Sequence, residues 1–295
     1  MTLLLFLANL DCHGQLVKGR ILASDSVPVS YAHIWINGST NGTYADANGF
    51  FDLKLSGEGS QTMSISCIGY KSREFKVKPE KDLQIFTLPY STIKLKEITV
   101  REKGRYRVGK LGYKMTKPMT WIWTSIKPSK YQQIRVDISD MDDEEGLIRT
   151  LCFEVRAINF DEVAMQEFDL GAHTEIPLVV EIQFRDLKNM KLLIDKAFYR
   201  KITKDDLPQI NIPLDSVSVI YPKHGVSVIL SLLGYELPDQ RLISGSVELK
   251  YGMKKSNRQM TFTRYLGEEG WSGTDFFRTE YGKFMNVNLW IEVEY

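Results

Sequence analysis

Residues 42–55, with the sequence GTYADANGFFDLKL, combine a tight turn with the strand that follows it. The DANG sequence at residues 46–49 favours the turn, because Asp and Asn bond to nearby backbone and Asn and Gly tolerate positive φ angles. After it, Phe51, Leu53 and Leu55 alternate with less apolar positions. A period of two puts one set of strand side chains into a core. The stretch therefore predicts a core strand that begins directly after a turn.

The same alternation extends through residues 16–100 and predicts short strands at a spacing typical of a β-sandwich. Asn37-Gly38 and Asn41-Gly42 are turn dipeptides between them. The predicted strands include residues 17–21, 31–36, 51–55, 63–68, 73–77, 83–88 and 95–100.

One predicted strand, residues 31–36, has two contrasting faces. Its apolar face is expected to join a core shared by Ile34, Ile36, Phe51, Leu53 and Ile65. Its other face is expected to point outward and consists of Tyr31, His33 and Trp35.

Several ordered motifs in this region carry a family resemblance. They are Val17-x-Gly19-x-Ile21, Pro28-x-x-x-Ala32, Gly42-Thr43-x-x-Asp46-x-Asn48-Gly49-x-Phe51-x-Leu53, Ser66-x-Ile68-Gly69-Tyr70 and a closing strand at residues 95–100. Together they resemble the carboxypeptidase regulatory-like, or prealbumin-like, domain. The resemblance implies a seven-stranded sandwich over residues 15–100 in an exported protein, and it brings no catalytic residues.

The first fourteen residues hold a short apolar run that is too short to span a bilayer. It is expected to be a signal peptide without its charged n-region, cleaved near Gln15. Since the resemblance implies an exported protein of a Gram-negative bacterium, the protein is expected to be secreted to the periplasm or to the outer-membrane surface. No later segment is apolar enough to predict a transmembrane helix.

Residues 101–117 contain seven Lys or Arg residues and three glycines. Such a stretch is either a solvated linker or a basic arm that grips nucleic acid or anionic lipid. The net charge of +1 and the expected export favour a linker and argue against a nucleic-acid partner.

Residues 118–295 show further alternating strands with little helical periodicity, which predicts a larger, jelly-roll-like β-sandwich of roughly eight strands. This part is loosely similar to the β-domain that often follows a regulatory-like module in exported proteins. The predicted strands include rows at residues 134–138, 151–155, 178–184, 191–194, 216–221, 226–232, 243–250 and 288–295.

Two aromatic stretches of the second part are candidate ligand sites. Trp121 and Trp123 lie close together, and Trp271 precedes Asp275 in a Gly-rich and Ser-rich segment. Exposed indole rings stack on sugars, and a nearby carboxylate can fix hydroxyl groups. The alternative is that the tryptophans pack inside the sandwich.

An acidic stretch is the best metal candidate. Asp137, Asp140, Asp142 and Asp143 belong to a run of six carboxylates in nine residues, and clustered carboxylates repel each other unless they are solvated or bound to a cation. Calcium is the metal that suits such oxygen ligands, although the spacing fits no standard calcium loop. A solvated charged hairpin is the favoured interpretation, so no cofactor is expected.

The sequence contains no motif of a zinc peptidase, a serine hydrolase or a nucleotide-binding enzyme. The leading hypothesis is therefore a non-catalytic cell-envelope protein that binds a glycan or an envelope partner through the second sandwich. One alternative is a structural or assembly factor that acts through protein contacts. Another is a hydrolase with dispersed carboxylates, since paired acids need not be close in sequence. The oligomeric state is left open.

Overall fold

A computed structural model describes residues 15–56, 59–80, 82–91, 108–112, 125–126, 132–139, 144–160, 176–243, 245–252, 260–273 and 286–295. Their regular secondary structure is almost entirely strand, with a single 3-10 turn at Lys204–Asp206 within these ranges. The predicted all-β fold class is confirmed. None of the helical structure in these ranges is long and apolar enough to cross a membrane.

Seven strands of the described residues build the first sandwich. They are β1 (Gln15–Ala23), β2 (His33–Ile36), β3 (Gly42–Tyr44), β4 (Phe50–Leu55), β5 (Gln61–Ser66), β6 (Arg73–Val77) and β7 (Gln84–Leu88). One sheet has the order β4-β1-β7, in which β1 runs antiparallel to β4 and parallel to β7. The other has the order β3-β2-β5-β6. The predicted sandwich is confirmed, and six of its predicted strands are present; the seventh strand of the structure, β3, was not predicted.

The core of this sandwich lies between its two sheets. Ile34, Ile36, Phe51, Leu53 and Ile65 all belong to one buried cluster, as their common alternation phase predicts. The DANG turn is also confirmed, because Asp46 Oδ1 accepts hydrogen bonds from the amides of Asn48 and Phe50 at 2.8 and 2.9 Å.

One predicted turn is wrong. Gly42 belongs to strand β3, and a Cβ added to it would lie 2.8 Å from the carbonyl oxygen of Ile34. This glycine therefore permits a close backbone approach, and the turn before β3 is made at Asn37-Gly38, where φ of Gly38 is +76°. The predicted strand at residues 95–100 lies outside the described residues.

The second sandwich contains fifteen strands within the described ranges. They are β8 (Val108–Gly112), β9 (Ser125–Ile126), β10 (Gln132–Ile138), β11 (Gly146–Phe160), β12 (Leu178–Asp186), β13 (Phe198–Ile202), β14 (Gln209–Pro213), β15 (Val219–Tyr221), β16 (Val226–Glu236), β17 (Leu242–Ile243), β18 (Gly245–Gly252), β19 (Thr261–Tyr265), β20 (Ser272–Gly273), β21 (Asn286–Val287) and β22 (Leu289–Glu294).

Two sheets enclose the second core. The β16 sheet has the order β13-β12-β16-β10-β19-β20, and β17 pairs with the end of β16. The β11 sheet has the order β21-β18-β11-β22-β8, with β14 and β15 on β11 and β9 on β18. The predicted apolar rows at residues 134–138, 151–155 and 178–184 all lie in the shared buried cluster.

The strand count exceeds the predicted eight because β11 is fifteen residues long and pairs with several shorter strands. The strand predicted at residues 191–194 is wrong. Asp186 Oδ1 accepts the amides of Lys188 and Asn189, which turns the chain directly after β12. Only an isolated bridge between Leu192 and Arg185 remains of the predicted pairing.

The two sandwiches pack against each other. Tyr31 and His33, predicted to point outward, are only 8% and 7% exposed. His33 does lie on the outer face of its own sheet, and Tyr31 lies in the turn before β2, but the β16 sheet covers both. A small apolar cluster forms at this junction from Tyr31, Tyr44, Val179, Leu233 and Leu266.

Candidate functional site

A cleft of about 480 Å³ lies at the junction of the two sandwiches. Strands β2 and β5 and the start of β6 form one wall, and β10, β19 and the loop after β19 form the other. The lining residues are His33, Trp35, Asn37, Gly38, Ser64, Ser66, Glu74, Gln133, Arg264, Leu266, Gly267, Glu268 and Glu269. The lining is polar, with one large aromatic side chain.

That aromatic side chain is Trp35, which is half-buried. The loop after β19 lies against it, because Gly267 has a φ of +90° and a Cβ added there would lie 2.8 Å from Trp35 Cδ1. Only a glycine allows this approach without strain. The indole ring is therefore held at the mouth of the junction by both sandwiches.

A chain of hydrogen bonds crosses the floor of the cleft. Arg264 Nε donates to Gln133 Oε1 at 2.7 Å, and Gln133 Nε2 donates to Ser231 Oγ at 2.8 Å. Ser231 in turn hydrogen-bonds Glu181. The strand register puts these four residues directly opposite each other on β19, β10, β16 and β12.

The chain ends in a contact between a histidine and a carboxylate that joins the two sandwiches. Glu181 Oε2 lies 2.9 Å from His33 Nε2, and both side chains are buried. Burial alone would raise the pKa of Glu181. The charge and hydrogen bond of His33, with hydrogen bonds from Gln183 and Ser231, outweigh that effect and hold the pKa below its ordinary value.

Further polar contacts fix how the sandwiches meet. Tyr31 Oη donates to Glu236 Oε1 at 2.6 Å, and Lys201 pairs with the other oxygen of Glu236. Burial, together with the hydrogen bond and charge of Glu236, raises the pKa of Tyr31. The aromatic ring of Tyr31 also packs on Tyr199, with 4.8 Å between the centroids. These contacts hold the two walls of the cleft against each other.

Trp271, a predicted ligand residue, is half-buried beside the cleft. The guanidinium carbon of Arg264 lies 4.4 Å from its ring centroid, and that of Arg135 lies 5.0 Å away. Stacking of this kind orients the guanidinium groups and stabilises their charge. Trp271 therefore contributes to the cleft by orienting the guanidinium group of Arg264.

Asp137, a predicted metal ligand, lies at the end of β10 and is committed to other partners. Its Oδ1 accepts a hydrogen bond from Ser227 Oγ at 2.7 Å and lies 3.2 Å from Arg135 Nε. Burial raises the pKa of Asp137, and these contacts offset part of the effect. Within the described ranges, no group of three or more His, Cys, Asp or Glu side chains is placed to hold a metal ion.

The other predicted site residues lie outside the described residues. They are Trp121, Trp123, Asp275, Asp140, Asp142 and Asp143. The calcium hypothesis for the acidic stretch therefore stays a prediction.

The chemistry of the cleft suits binding. Glu74 accepts a hydrogen bond from Asn37 Nδ2 at 2.9 Å, and Glu268 accepts the amide of Tyr265 at 2.7 Å, so both carboxylates have remaining acceptor capacity for ligand hydroxyls. Ser66 is the cross-strand neighbour of His33. No hydrogen bond joins these two described side chains, so the arrangement lacks the nucleophile–base contact that activates a serine.

Sequence reasoning missed most of this site. The alternation showed that His33 and Trp35 share a face, but it contained no sign that a second sandwich covers that face. Gln133 and Arg264 are separated by more than a hundred residues and meet only through the pairing of β10 with β19. The one available signal was the unusual size of the aromatic residues on a face predicted to be solvated.

Comparison with known families supports the reading of the first sandwich. Residues 17–100 match the family described as the CarboxypepD_reg-like domain. This segment is a carboxypeptidase regulatory-like domain. The predicted resemblance is confirmed, and the regulatory-like domain supplies the Trp35 and His33 wall of the cleft. No curated protein matches the chain.

Solved structures of all-β proteins are also similar. A cohesin–X-dockerin complex from Acetivibrio cellulolyticus matches at 25% identity over 25% of this chain and 52% of that chain, with a TM-score of 0.21, so the match spans about half of its length. A DUF3823 family protein from Bacteroides uniformis matches at 8% identity over 95% and 98% of the two chains, with a TM-score of 0.21.

A third structure, from the same bacterium, is that of a protein described as a candidate carbohydrate binding protein. It matches at 8% identity over 79% of this chain and 94% of that chain, with a TM-score of 0.21. All these TM-scores are low, so the function of this protein has to be inferred from its own residues.

Proposed function

We propose that this protein is a non-catalytic binding protein of the bacterial cell envelope that holds a glycan in the cleft between the regulatory-like domain and the second sandwich. The observation that supports this most strongly is the lining of the cleft. A half-buried indole stands beside carboxylate, amide, hydroxyl and guanidinium groups, the combination that stacks on a sugar ring and fixes its hydroxyls. The expected export agrees with a glycan ligand in the envelope.

A glycan array probed with the full-length chain tests the proposal. We expect binding of a limited set of glycans and a loss of that binding in the Trp35→Ala variant. Phe50→Ala is the matched control, because Phe50 is 38% exposed on the outer face of the other sheet of the same domain. Binding that is absent, or equally strong in Trp35→Ala, would contradict a glycan site in this cleft.

The same array tests the absence of catalysis. Bound glycans are incubated with the protein and assayed for new reducing ends. We expect none, because Glu74 and Glu268 are proposed to accept hydrogen bonds from ligand hydroxyls rather than to act as an acid–base pair. Reducing ends that disappear in Glu74→Gln or Glu268→Gln would instead establish the hydrolase alternative.

A second candidate function, assembly through protein contacts, is favoured by one surface. The outer face of the β4-β1-β7 sheet exposes Phe50, Ile85 and, near its edges, Val27 and Leu83. Exposed apolar groups of this kind are frequent in protein interfaces. Concentration-dependent association that is lost in Ile85→Ser would support this function.

A further inference from the structure

Three arginines share the outer face of the β16 sheet. Arg135 lies on β10, Arg185 on β12 and Arg264 on β19. The strand register puts each of them on the face that carries Gln133 and Glu181, which is the face that meets the regulatory-like domain. All three side chains are half-buried, so their charges are only partly hydrated.

The described carboxylates on this face compensate that charge only in part. Asp137 pairs with Arg135, whereas Glu181 contacts His33 and acts on Arg185 through its charge. Arg185 donates to the neutral Gln183 Oε1 at 3.1 and 2.9 Å and to the carbonyl of Met190 at 2.9 Å. Arg264 has the neutral Gln133 as its hydrogen-bond partner.

The pKa of Arg264 shows the cost of placing three positive charges on one partly buried face. Burial lowers its pKa, and the positive charges of Arg185 and Arg135 lower it further, while Glu268 offsets part of the repulsion. A negative charge placed beside Arg264 would therefore be stabilised by the whole group and would relieve its mutual repulsion.

Arg264 is also the arginine of this group that lines the cleft. Its Nε is held by Gln133 and its guanidinium plane by the ring of Trp271. Within the described part of the chain, Nη1 and Nη2 have no hydrogen-bond acceptor. Two parallel N–H donors on a planar, pre-oriented group match the two oxygens of a carboxylate.

We propose that the ligand of the cleft is an acidic glycan, and that Arg264 binds the carboxylate of a uronic acid residue. This inference rests on the proposed function and names the ligand class. The carboxylates of Glu74, Glu268 and Glu269 also line the cleft, which disfavours a densely charged polyanion. A sugar with one carboxylate and several hydroxyls satisfies both the arginine and these acceptors.

Matched pairs of oligosaccharides test the inference without altering the protein. Each pair consists of a uronic acid oligosaccharide, of glucuronate, galacturonate or mannuronate type, and the same compound after reduction of its carboxylates to primary alcohols. Isothermal titration of the full-length chain is expected to show that reduction of at least one bound compound weakens binding by about 10- to 100-fold, the usual effect of losing a charged hydrogen bond. Added salt should weaken only the acidic member.

Variants of Arg264 test whether this residue causes the preference for the acidic compound. Arg264→Gln should lower the affinity for the acidic compound to that of its reduced counterpart, and Arg264→Lys should retain part of it. Arg20→Gln is the matched control, because Arg20 is also half-buried, donates through Nε to a carbonyl at 3.2 Å and lies 4.5 Å from the centroid of Phe50, on the outer face of the other sheet. Circular dichroism verifies that each variant is folded.

The outcomes separate the two proposals. If neutral and acidic members bind equally well, the acidic ligand is wrong and the glycan site remains. The same holds if the acidic preference is unchanged in a folded Arg264→Gln variant. If no glycan binds, acidic or neutral, both proposals are wrong.

Discussion

Gly267 shows how one residue positions the cleft. Its backbone lies against the indole of Trp35 in a conformation, φ +90°, that side-chain-bearing residues rarely adopt. Replacing it by alanine adds backbone strain of about 1–2 kcal/mol and also pushes Trp35 away. We expect Gly267→Ala to lower the free energy of unfolding and to weaken glycan binding.

Gly59→Ala is the control for that prediction. Gly59 has a similar positive φ, +106°, but nothing lies within 4 Å of an added Cβ. Urea unfolding of the two variants distinguishes the backbone strain, which both share, from the contact with Trp35, which only Gly267→Ala disturbs. Equal destabilisation and equal binding would mean that the approach of Gly267 to Trp35 is unimportant.

The lowered pKa of Glu181 predicts that the stability of the protein depends on pH. A carboxyl group whose pKa is lowered on folding contributes stability above its unfolded value, and the contribution is lost as the pH falls through the lower folded value. Replacing the carboxylate by a neutral amide weakens the hydrogen bonds that it accepts from Gln183 and Ser231, and a hydrogen bond to a charged group contributes about 1.5–3 kcal/mol. We therefore expect Glu181→Gln to be less stable than the parent protein at pH 7.

That difference should shrink in acid. Unfolding curves recorded at pH 7 and at pH 3 measure it, and at the lower pH protonation removes the advantage of the parent carboxylate. A difference in unfolding free energy that stays constant between the two pH values would show that the Glu181 charge does not stabilise the interface.

Strand β2 shows which kind of burial the sequence predicts and which kind it does not. Its alternation identified Ile34 and Ile36 as core residues, because burial inside one sheet depends only on the period of the strand. The burial of His33 depends on the neighbouring sandwich, which leaves no periodic signal in β2. Gly42 was predicted to form a turn for a different reason. Turn formation and close backbone packing both favour glycine, so the residue type alone does not distinguish them.

The buried position of Ile34 in β2 predicts a loss of stability when its side chain is shortened. Ile34 is fully buried between the sheets of the regulatory-like domain, so Ile34→Ala should lower the free energy of unfolding by about 2–5 kcal/mol. Ile85→Ala is its control, since Ile85 lies on β7 of the same domain and is 55% exposed. A urea midpoint shifted equally by both variants would contradict this core.

For the whole molecule, the buried junction argues that the two sandwiches act as one unit. The contacts of Tyr31 with Glu236 and of His33 with Glu181 join them independently of the covalent connection. The sequence predicts that trypsin cuts first within residues 101–117, where basic residues are dense. Residues 108–112 of this stretch are not linker but strand β8, which pairs with β22, so the cut is expected outside that strand. We expect the two fragments to stay associated after this cut.

Size-exclusion chromatography of the nicked protein measures that association. A single peak that contains both fragments is expected at pH 7, and the Glu181→Gln variant should separate more readily. Immediate separation of the fragments of the parent protein, or a first cut within residues 30–90, would contradict this organisation.

If the junction of the two sandwiches is the ligand site, a crystal structure of the whole chain with the best glycan from the array will show it. We expect electron density for a sugar ring in the cleft, stacked on Trp35, with a carboxylate at Arg264. Glycan density at any other surface, with the cleft empty, would contradict it.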